Sequence, residues 1–367
     1  MTTRVLVVDD ASIFRRIISD ALAGVPGVEV VGTAANGKLA LARMAALQPD
    51  VVTLDIEMPE MNGIEVLEAM RGTGLHAGVI MLSSRTVKGG EMTIRALEAG
   101  AFDFITKPES GTPETNLTYL RESLRPMIGA LERRREIRSI LNPKALKPAP
   151  ASAAAGPAIM TPAASASRGK CRNSAPIVLI GVSTGGPVAL AELLPALPAK
   201  VGAPIFIVQH MPPLFTEALA QRLNGKSSIE VKEAKNGEIA HADCAYLAPG
   251  GRQMKLSAGP QGEIVIRVTD DPPENACRPS VDYLFRSVAL HFPGRSIAAI
   301  LTGMGNDGTE GVRMLRRSGC LSIAQDEASC VVFGMPREAI AAGVIDSVLP
   351  LRKIADAIVR GVAEVRA

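Results

Sequence analysis

The chain of 367 residues contains no tryptophan, and only 3% of its residues are aromatic. A surface for single-stranded nucleic acid combines aromatic rings with many positive charges, and the net charge here is only +3. The composition therefore argues against a nucleic-acid partner. It also requires cores built from alanine, valine, isoleucine and leucine, in keeping with a hydrophobic content of 47%.

Cysteine and histidine are also scarce. The five cysteines form no Cys-x-x-Cys pair, which argues against a disulfide framework and a zinc cluster and fits a reducing compartment. No apolar run approaches the ~20 residues that span a bilayer, and the acidic N-terminal region is not a secretory signal. We therefore expect a cytoplasmic protein without membrane insertion. Any imidazole chemistry must use one of four histidines: His76, His210, His241 and His291.

One segment divides the chain into two halves. Residues 148–169 are nearly all alanine, proline, serine and glycine, a composition that cannot offset its ordering entropy by burial and that predicts a linker. We predict one domain over 1–125, a helical extension and linker over 126–171, and a second domain over 172–367.

Both halves alternate short apolar runs with helical patterns, which predicts two doubly wound α/β domains. The segment 229–268 differs, because its short alternating runs and Gly and Pro turns indicate a β-hairpin insertion near one sheet edge. The predicted strands are Val5–Val8, Val28–Gly32, Val51–Leu54, Val79–Leu82 and Phe102–Ile105 in the first half, and Ile177–Gly181, Ile205–Gln209, Ile297–Leu301 and Leu321–Ala324 in the second.

Polar residues follow the predicted strands of the first half. Asp9 and Asp10 end the first strand, Asp55 the third, Ser83 the fourth and Lys107 the fifth. Parallel strands place such residues at one sheet edge, where crowded carboxylates favour a hard divalent cation such as Mg²⁺. The alternative is that such Asp residues only cap the following helices, as Asp10 could.

These five elements, with Asp55 inside LDIEMPEMNG, resemble the receiver domain of two-component response regulators, which has a flavodoxin-like (βα)5 fold. The resemblance implies that a histidine kinase phosphorylates Asp55. It also implies that Asp10, Asp55 and the backbone carbonyl of Glu57 hold Mg²⁺, with Asp9 assisting through water. Ser83, Lys107 and the aromatic Phe104 would form the phosphorylation switch.

Three residues of the second half are candidates for nucleophilic catalysis. Ser183 lies in Gly181-Val182-Ser183-Thr184-Gly185 between a strand and a helix, which fits a GxSxG nucleophile turn, although a serine helix cap is the alternative. His210 ends the next strand and could face the same crevice. Asp307 follows a third strand and could orient the His210 imidazole.

A rival interpretation uses the same third strand end. Residues 303–308 also read as GxGxxG, and Asp326 follows 18 residues later, as in a dinucleotide-binding fingerprint. Asp307 would then add a carboxylate beside the pyrophosphate, and Ser183 and His210 would have no role.

Four motifs, GVSTGGP, VQHMP, CRPSVDYLF and LTGMGNDG, resemble the chemotaxis protein-glutamate methylesterases. The resemblance implies a Ser183–His210–Asp307 triad and an oxyanion donor at the backbone N–H of Met304, to which nucleophile geometry adds Thr184 N–H. It places Arg278, Pro279, Ser280 and Asp282 along the substrate approach. A simpler interpretation is that Ser280 caps the following helix and Asp282 is an acid in its first turn, and both roles could hold together.

The expected function is hydrolysis of glutamate methyl esters on chemoreceptors, releasing methanol without any cofactor in the catalytic half. Deamidation of receptor glutamines uses the same carbonyl chemistry. We further expect the receiver half to cover the catalytic cleft until Asp55 is phosphorylated. Phosphorylation adds about −1.5 to −2 charge beside Ser83 and Lys107, and this change should free the cleft.

Overall fold

The computed structural model describes residues 2–141 and 175–366, without the side chains of residues 137–141. The linker predicted over 148–169 lies outside the described residues. The first half forms a five-stranded parallel sheet in the order β2-β1-β3-β4-β5, which confirms the predicted fold. Its elements are β1 (Thr3–Val8), α1 (Ser12–Ala23), β2 (Val28–Ala34), α2 (Gly37–Leu47), β3 (Val51–Asp55), α3 (Gly63–Thr73), β4 (Gly78–Ser83), α4 (Val87–Glu98), β5 (Asp103–Thr106) and α5 (Pro113–Leu141).

The second half is built around a seven-stranded parallel sheet in the order β14-β13-β12-β6-β7-β9-β8. Its central strands are wholly buried, in line with their continuous apolar runs. The elements are β6 (Ile177–Val182), α6 (Gly186–Leu193), β7 (Ile205–Gln209), α7 (Phe215–Asn224), β8 (Glu230–Glu233), β9 (Cys244–Leu247), β10 (Gln253–Ala258), β11 (Ile264–Thr269), α8 (Val281–His291), β12 (Ser296–Ile300), α9 (Thr309–Arg317), β13 (Leu321–Gln325), α10 (Met335–Ala341), β14 (Ser347–Leu349) and α11 (Leu351–Arg366).

The hairpin predicted over 229–268 is correct only for its second part. Strands β10 and β11 pair antiparallel as a separate two-stranded sheet, whereas β8 and β9 pair parallel at the edge of the main sheet. Strands β8 and β10 alternate polar and apolar residues, and the four residues of β9 are too few to indicate a pairing direction. The direction of pairing is set by contacts distant in the sequence, so the alternation did not separate the two cases.

Apolar clusters join the two halves. The ring of Phe104 on β5 stacks on that of Phe215 on α7, with centroids 4.7 Å apart and an interplanar angle of 23°. Val332, in the loop after β13, is buried in the same cluster as Ile128 and Ala130 of α5. The face of the first half formed by α4, β5 and α5 therefore packs on the second half. None of the helices in the described residues is long and apolar enough to cross a membrane.

An ion-pair cluster flanks the same interface. Glu98 at the end of α4 accepts hydrogen bonds from Arg222 and Lys226 of the second half, with shortest distances of 2.7 Å to each. The hydrogen bond from Arg222 is the main cause that holds the pKa of Glu98 below its usual value. We call these three residues the Glu98 cluster.

Candidate active site

Three strand ends converge at the centre of the second sheet. Strand β6 is the first strand of this half, and its neighbours β7 and β12 lie on opposite sides of it. Such a reversal of strand order opens a crevice at the carboxyl edge. Ser183 follows β6, His210 follows β7 and Asp307 lies in the loop after β12. The structure therefore brings the three predicted residues to one crevice.

His210 and Asp307 are joined directly. His210 Nε2 lies 2.8 Å from Asp307 Oδ2, and the imidazole side chain is only 15% exposed. Burial lowers the pKa of His210, but the Asp307 carboxylate and then Cys277 raise it more, to about 9. In this arrangement the pair is therefore an imidazolium and a carboxylate at neutral pH, and His210 must lose a proton before it can act as a base.

The Asp307 carboxylate is held at the N-terminus of α8. Besides His210, it accepts four hydrogen bonds of 2.7–3.0 Å, from the backbone of Val281 and Asp282 and from the side chains of Ser280 and Asn275. Burial opposes its ionisation, but His210 and these donors lower the pKa of Asp307 overall. The helix N-terminus thus fixes a charged carboxylate that orients the imidazole.

Ser280 and Asp282, which were predicted to line the substrate approach, are both buried, and that role stays a prediction. Ser280 is fully buried and caps α8, while its hydroxyl donates to Asp307. Asp282 is also buried, and its carboxylate accepts hydrogen bonds from Gly311 N–H and Asn275. Ser280 therefore caps α8 as the alternative expected, whereas the Asp282 carboxylate holds the first turn of α9 through Gly311. Arg278 is exposed and stays a candidate contact for substrate.

Ser183 stands in a tight turn between β6 and α6. Gly185 has φ +78°, and a Cβ on Gly303 would come within 2.8 Å of Ser183 Cβ, so both positions require glycine. Within the described residues no hydrogen bond joins Ser183 Oγ to His210. The second imidazole nitrogen, Nδ1, instead lies 3.8 Å from Cys277 Sγ.

Two backbone N–H groups beside Ser183 are available as donors. In the described part of the chain, the N–H groups of Thr184 and Met304 make no hydrogen bond, although Thr184 is buried. The Thr184 carbonyl is fixed by the Thr302 hydroxyl at 2.9 Å. These N–H groups match the two donors predicted for an oxyanion and stay a prediction.

The first sheet gathers its own polar cluster. Lys107 Nζ lies 2.7 Å from Asp9 Oδ2 and 2.7 Å from Asp55 Oδ2. Burial raises the pKa of Asp55 to about 6, although Lys107 acts in the opposite direction. Asp10 does not cap α1, whose capping residue Ala11 makes no side-chain cap hydrogen bond, so the capping alternative fails for Asp10.

The predicted switch residues contact the elements that face the second half. The Ser83 hydroxyl accepts a hydrogen bond from Thr93 of α4 at 2.8 Å. Phe104 lies on β5, three residues before Lys107, and reaches Phe215. Glu57 N–H lies 3.4 Å from Asp55 Oδ1, and the Glu57 side chain forms an ion pair with Lys88 at 3.7 Å.

Comparisons with known proteins match both halves. The family model described as CheB methylesterase matches residues 178–358, and that of the response regulator receiver domain matches residues 5–114. The protein-glutamate methylesterase/protein-glutamine glutaminase of Desulfotalea psychrophila is 51% identical, with 98% of each chain covered. The chain belongs to the CheB methylesterase family. The protein of the same name from Bacillus subtilis is 43% identical, with 97% of each chain covered.

A solved structure supports the fold of the catalytic half. The crystal structure of the Thermotoga maritima CheB methylesterase catalytic domain is 42% identical, with a TM-score of 0.50, and the match covers 99% of that chain and 51% of this one. The recognised family and the predicted fold class are therefore confirmed.

CheB family membership leaves no role for the dinucleotide interpretation. The Asp307 carboxylate is directed at His210 rather than at a phosphate crevice. Asp326 Oδ1 accepts hydrogen bonds from the backbone N–H and the hydroxyl of Ser329, so this carboxylate shapes its own turn. Here the residues of the GxGxxG pattern form the loop that carries Asp307.

The receiver cluster of this CheB family member fits a hard divalent cation. Ligand oxygens of Asp9, Asp10 and Asp55 lie within 4.8 Å of one another. Lys107 pairs with Asp9 and Asp55, and the Arg15 guanidinium donates to the backbone carbonyls of Asp9 and Asp10, so these two cations still leave the three carboxylates with an excess of negative charge. Carboxylate oxygens are the ligands that Mg²⁺ prefers.

Sequence reasoning missed two features of this CheB-family site. Cys277 lies 67 positions from His210 in the sequence, and no local pattern indicates that they meet. The Glu98 cluster joins residues more than 120 positions apart. Its charges gave no signal in the sequence, because a single charged residue on an amphipathic helix ordinarily faces solvent.

Proposed function

We propose that this chain is a phosphorylation-activated hydrolase that demethylates glutamate γ-methyl esters on chemoreceptors and deamidates receptor glutamines. The names of the full-length relatives support both activities. The observation that carries the proposal is the 2.8 Å contact between His210 and Asp307 beside the Ser183 turn. An oriented imidazole beside a serine at a helix N-terminus is suited to acyl transfer.

The Asp307 carboxylate holds a proton on His210 Nε2, so the neutral imidazole has its lone pair on Nδ1. In the activated enzyme, Nδ1 accepts the Ser183 proton while Oγ attacks the ester carbonyl. Ser183 Oγ then takes the position beside Nδ1 that Cys277 Sγ occupies in this structure. The N–H groups of Thr184 and Met304 receive the negative charge of the tetrahedral oxygen. His210 then returns the proton to the departing methoxide, and methanol leaves.

The acyl-enzyme is hydrolysed by the same groups in the reverse order. Water loses a proton to His210 Nδ1 and attacks the carbonyl, and the C–Oγ bond breaks as Ser183 recovers its proton. The product is a glutamate carboxylate. Glutamine follows the same path with ammonia as the leaving group, and its nitrogen must be protonated before it departs. Exposed Arg278, two residues before the α8 cap Ser280, is the remaining candidate for contact with the substrate.

Regulation follows from the packed receiver face. A histidine kinase phosphorylates Asp55, and Asp10, Asp55 and the Glu57 carbonyl would hold the Mg²⁺ that offsets the charge of the phosphoryl group, with Asp9 acting through water. The phosphoryl oxygens draw Ser83 away from Thr93 and compete for Lys107. Both changes act on α4 and β5, the elements that carry the Glu98 cluster and Phe104. The receiver then releases the loops beside Ser183 and Met304.

Methanol release from methylated receptor membranes tests this function. We expect hydrolysis by the full chain with Mg²⁺, and a higher rate when a small-molecule phosphodonor is added. Asp55→Asn retains the basal rate and loses the response to the phosphodonor. Absence of methanol release under all of these conditions would contradict the hydrolase, and equal stimulation of Asp55→Asn would contradict the gating.

Charge reversal in the Glu98 cluster should activate the unphosphorylated enzyme. Glu98→Arg replaces two ion pairs with repulsion against Arg222 and Lys226. These side chains are partly exposed, so we expect a cost of roughly 1 kcal/mol to the closed arrangement, or about a fivefold higher basal rate at low salt. Methanol release without phosphodonor measures the effect, which should weaken as salt increases.

Glu91→Arg is the matched control for this charge change. Glu91 is exposed on the same helix, and no ion pair of its side chain is found in the described residues. Its basal rate should equal that of the unmodified chain. Combining Glu98→Arg with Arg222→Glu and Lys226→Glu should restore the low rate. Equal basal rates for Glu98→Arg and Glu91→Arg would refute a role of the cluster in closure.

A further inference from the structure

The two imidazole nitrogens of His210 have different neighbours. Nε2 bonds to the Asp307 carboxylate at 2.8 Å, whereas Nδ1 faces Cys277 Sγ at 3.8 Å. Cys277 is half-buried and forms no disulfide, so its thiol is free to act as a ligand. Among the described residues, His210, Cys277 and Asp307 form one of two groups whose side chains could hold a metal ion.

The spacing of nitrogen and sulfur suits a zinc ion. Zn–N bonds of about 2.0 Å and Zn–S bonds of about 2.3 Å in tetrahedral geometry place the two ligand atoms roughly 3.5 Å apart. The observed 3.8 Å reaches that separation after a shift of a few tenths of an ångström. The chain therefore already presents two ligands at nearly the required separation.

The contact between His210 and Asp307 also favours a metal ion at Nδ1. A histidine that binds a metal through one nitrogen commonly donates its other N–H to a carboxylate, which fixes the ring and makes it a better ligand. Asp307 occupies that position, and it is itself held by the N-terminus of α8. The arrangement that prepares His210 for catalysis thus also prepares Nδ1 for a metal.

The two metal-ligand groups of this chain differ in chemical class. Asp9, Asp10 and Asp55 offer only oxygen, which suits Mg²⁺, whereas His210 and Cys277 offer nitrogen and sulfur, which suit Zn²⁺ and other thiophilic divalent ions. Mg²⁺ is poorly suited to the nitrogen and sulfur ligands, whereas Zn²⁺ can also bind carboxylates. Excess Mg²⁺ therefore serves to keep the oxygen group occupied while the other group is tested.

We propose that His210 Nδ1 and Cys277 Sγ bind a Zn²⁺ ion that inhibits the hydrolase. The ion occupies the nitrogen that must accept the Ser183 proton, and water completes its coordination. Binding releases the Cys277 thiol proton and any proton on Nδ1, with no change of oxidation state. The inhibitory part rests on the proposed function, whereas the metal site itself does not.

Direct metal binding tests the site without an activity measurement. The full chain, reduced and with excess Mg²⁺ to occupy the receiver cluster, is titrated with Co²⁺ as a spectroscopic probe. We expect a near-ultraviolet thiolate-to-cobalt band at one equivalent, which Zn²⁺ abolishes by displacing cobalt. Cys277→Ser and Cys277→Ala should lack the band. Cys330→Ser, which removes another half-buried thiol, should keep it.

Inhibition is then measured by methanol release against free Zn²⁺, each variant relative to its own metal-free rate. Losing Cys277 should raise the half-inhibitory zinc concentration at least about 10- to 100-fold, the size of effect seen when even an indirect metal partner is removed. Cys330→Ser should keep the sensitivity of the unmodified chain, and Mg²⁺ alone should not inhibit.

Three results would overturn the site: no cobalt band, a band that persists in both Cys277 variants, or unchanged zinc sensitivity in those variants. The last would place the inhibitory ion elsewhere, for example at the receiver carboxylates. A Cys277-dependent band in a chain that releases no methanol would support the metal site and refute the proposed hydrolase.

Discussion

Ser183→Ala is expected to lower the rate of methanol release by about 10⁶-fold, the loss found when the nucleophile of a serine protease is removed. The other hydroxyl that follows β6, that of Thr184, is buried, and the remaining donors can only bind the substrate. A fluorophosphonate probe should label the unmodified chain and fail to label Ser183→Ala. Because Ser183 Oγ makes no hydrogen bond in the described residues, the free energy of unfolding should change by less than about 1 kcal/mol.

Ser257→Ala provides the control for Ser183. Ser257 lies on the separate hairpin, and its hydroxyl contacts Val265 and Arg267 there. This variant should keep its rate and its labelling. Substantial methanol release by a folded Ser183→Ala chain would show that another group is the nucleophile, with Cys277 as the first candidate.

Asp307→Asn is expected to lower the rate by about 10⁴-fold, as in serine proteases in which the equivalent carboxylate is replaced. The amide NH₂ must take either the Oδ2 position, where it faces His210 and the Val281 N–H, or the Oδ1 position, where it faces the donors of Asp282, Ser280 and Asn275. In the first case His210 carries its proton on Nδ1 and has no lone pair for Ser183. In the second case the new NH₂ faces N–H and O–H groups that are also donors. The lost hydrogen bonds should lower the free energy of unfolding by about 1–3 kcal/mol.

Two measurements separate chemistry from folding for this variant. Thermal unfolding reports the stability loss, and methanol release well below the unfolding temperature reports the chemistry. Asp326→Asn makes the same change at the end of β13, where the carboxylate only holds Ser329, and should keep nearly full activity. A folded Asp307→Asn chain with a rate within tenfold of the unmodified protein would refute the orienting role of Asp307.

Local patterns predicted most of the architecture. Buried parallel strands read as short apolar runs, and their carboxyl ends share an edge, so the positions of Asp55, Ser183 and His210 followed from the sequence. The elements α10 and β14 were missed because seven and three residues are too few for a periodic signal. The parallel strands β8 and β9 were assigned to a hairpin because alternation does not report pairing direction.

The functions of individual side chains were harder to predict. Ser280 and Asp282 carry the pattern of a helix cap, and the sequence allowed both that role and substrate contact. Their contacts with residues 27 and 29 positions away show that the Ser280 hydroxyl holds Asp307 and that the Asp282 carboxylate holds Gly311. Phe104 was predicted to belong to the phosphorylation switch. Its stacking partner Phe215 could not be predicted, because the two rings meet only when the two halves pack together.

The sequence by itself determined the two α/β sheets, the residue types at their strand ends and the family. Tertiary structure decided which nitrogen of His210 meets Asp307, that Cys277 rather than Ser183 faces the other, and which receiver surface covers the second half. The division has a physical cause. Strand and helix periodicity depends on neighbours within a few residues, whereas these contacts depend on how distant elements pack, and packing is set by the whole chain at once.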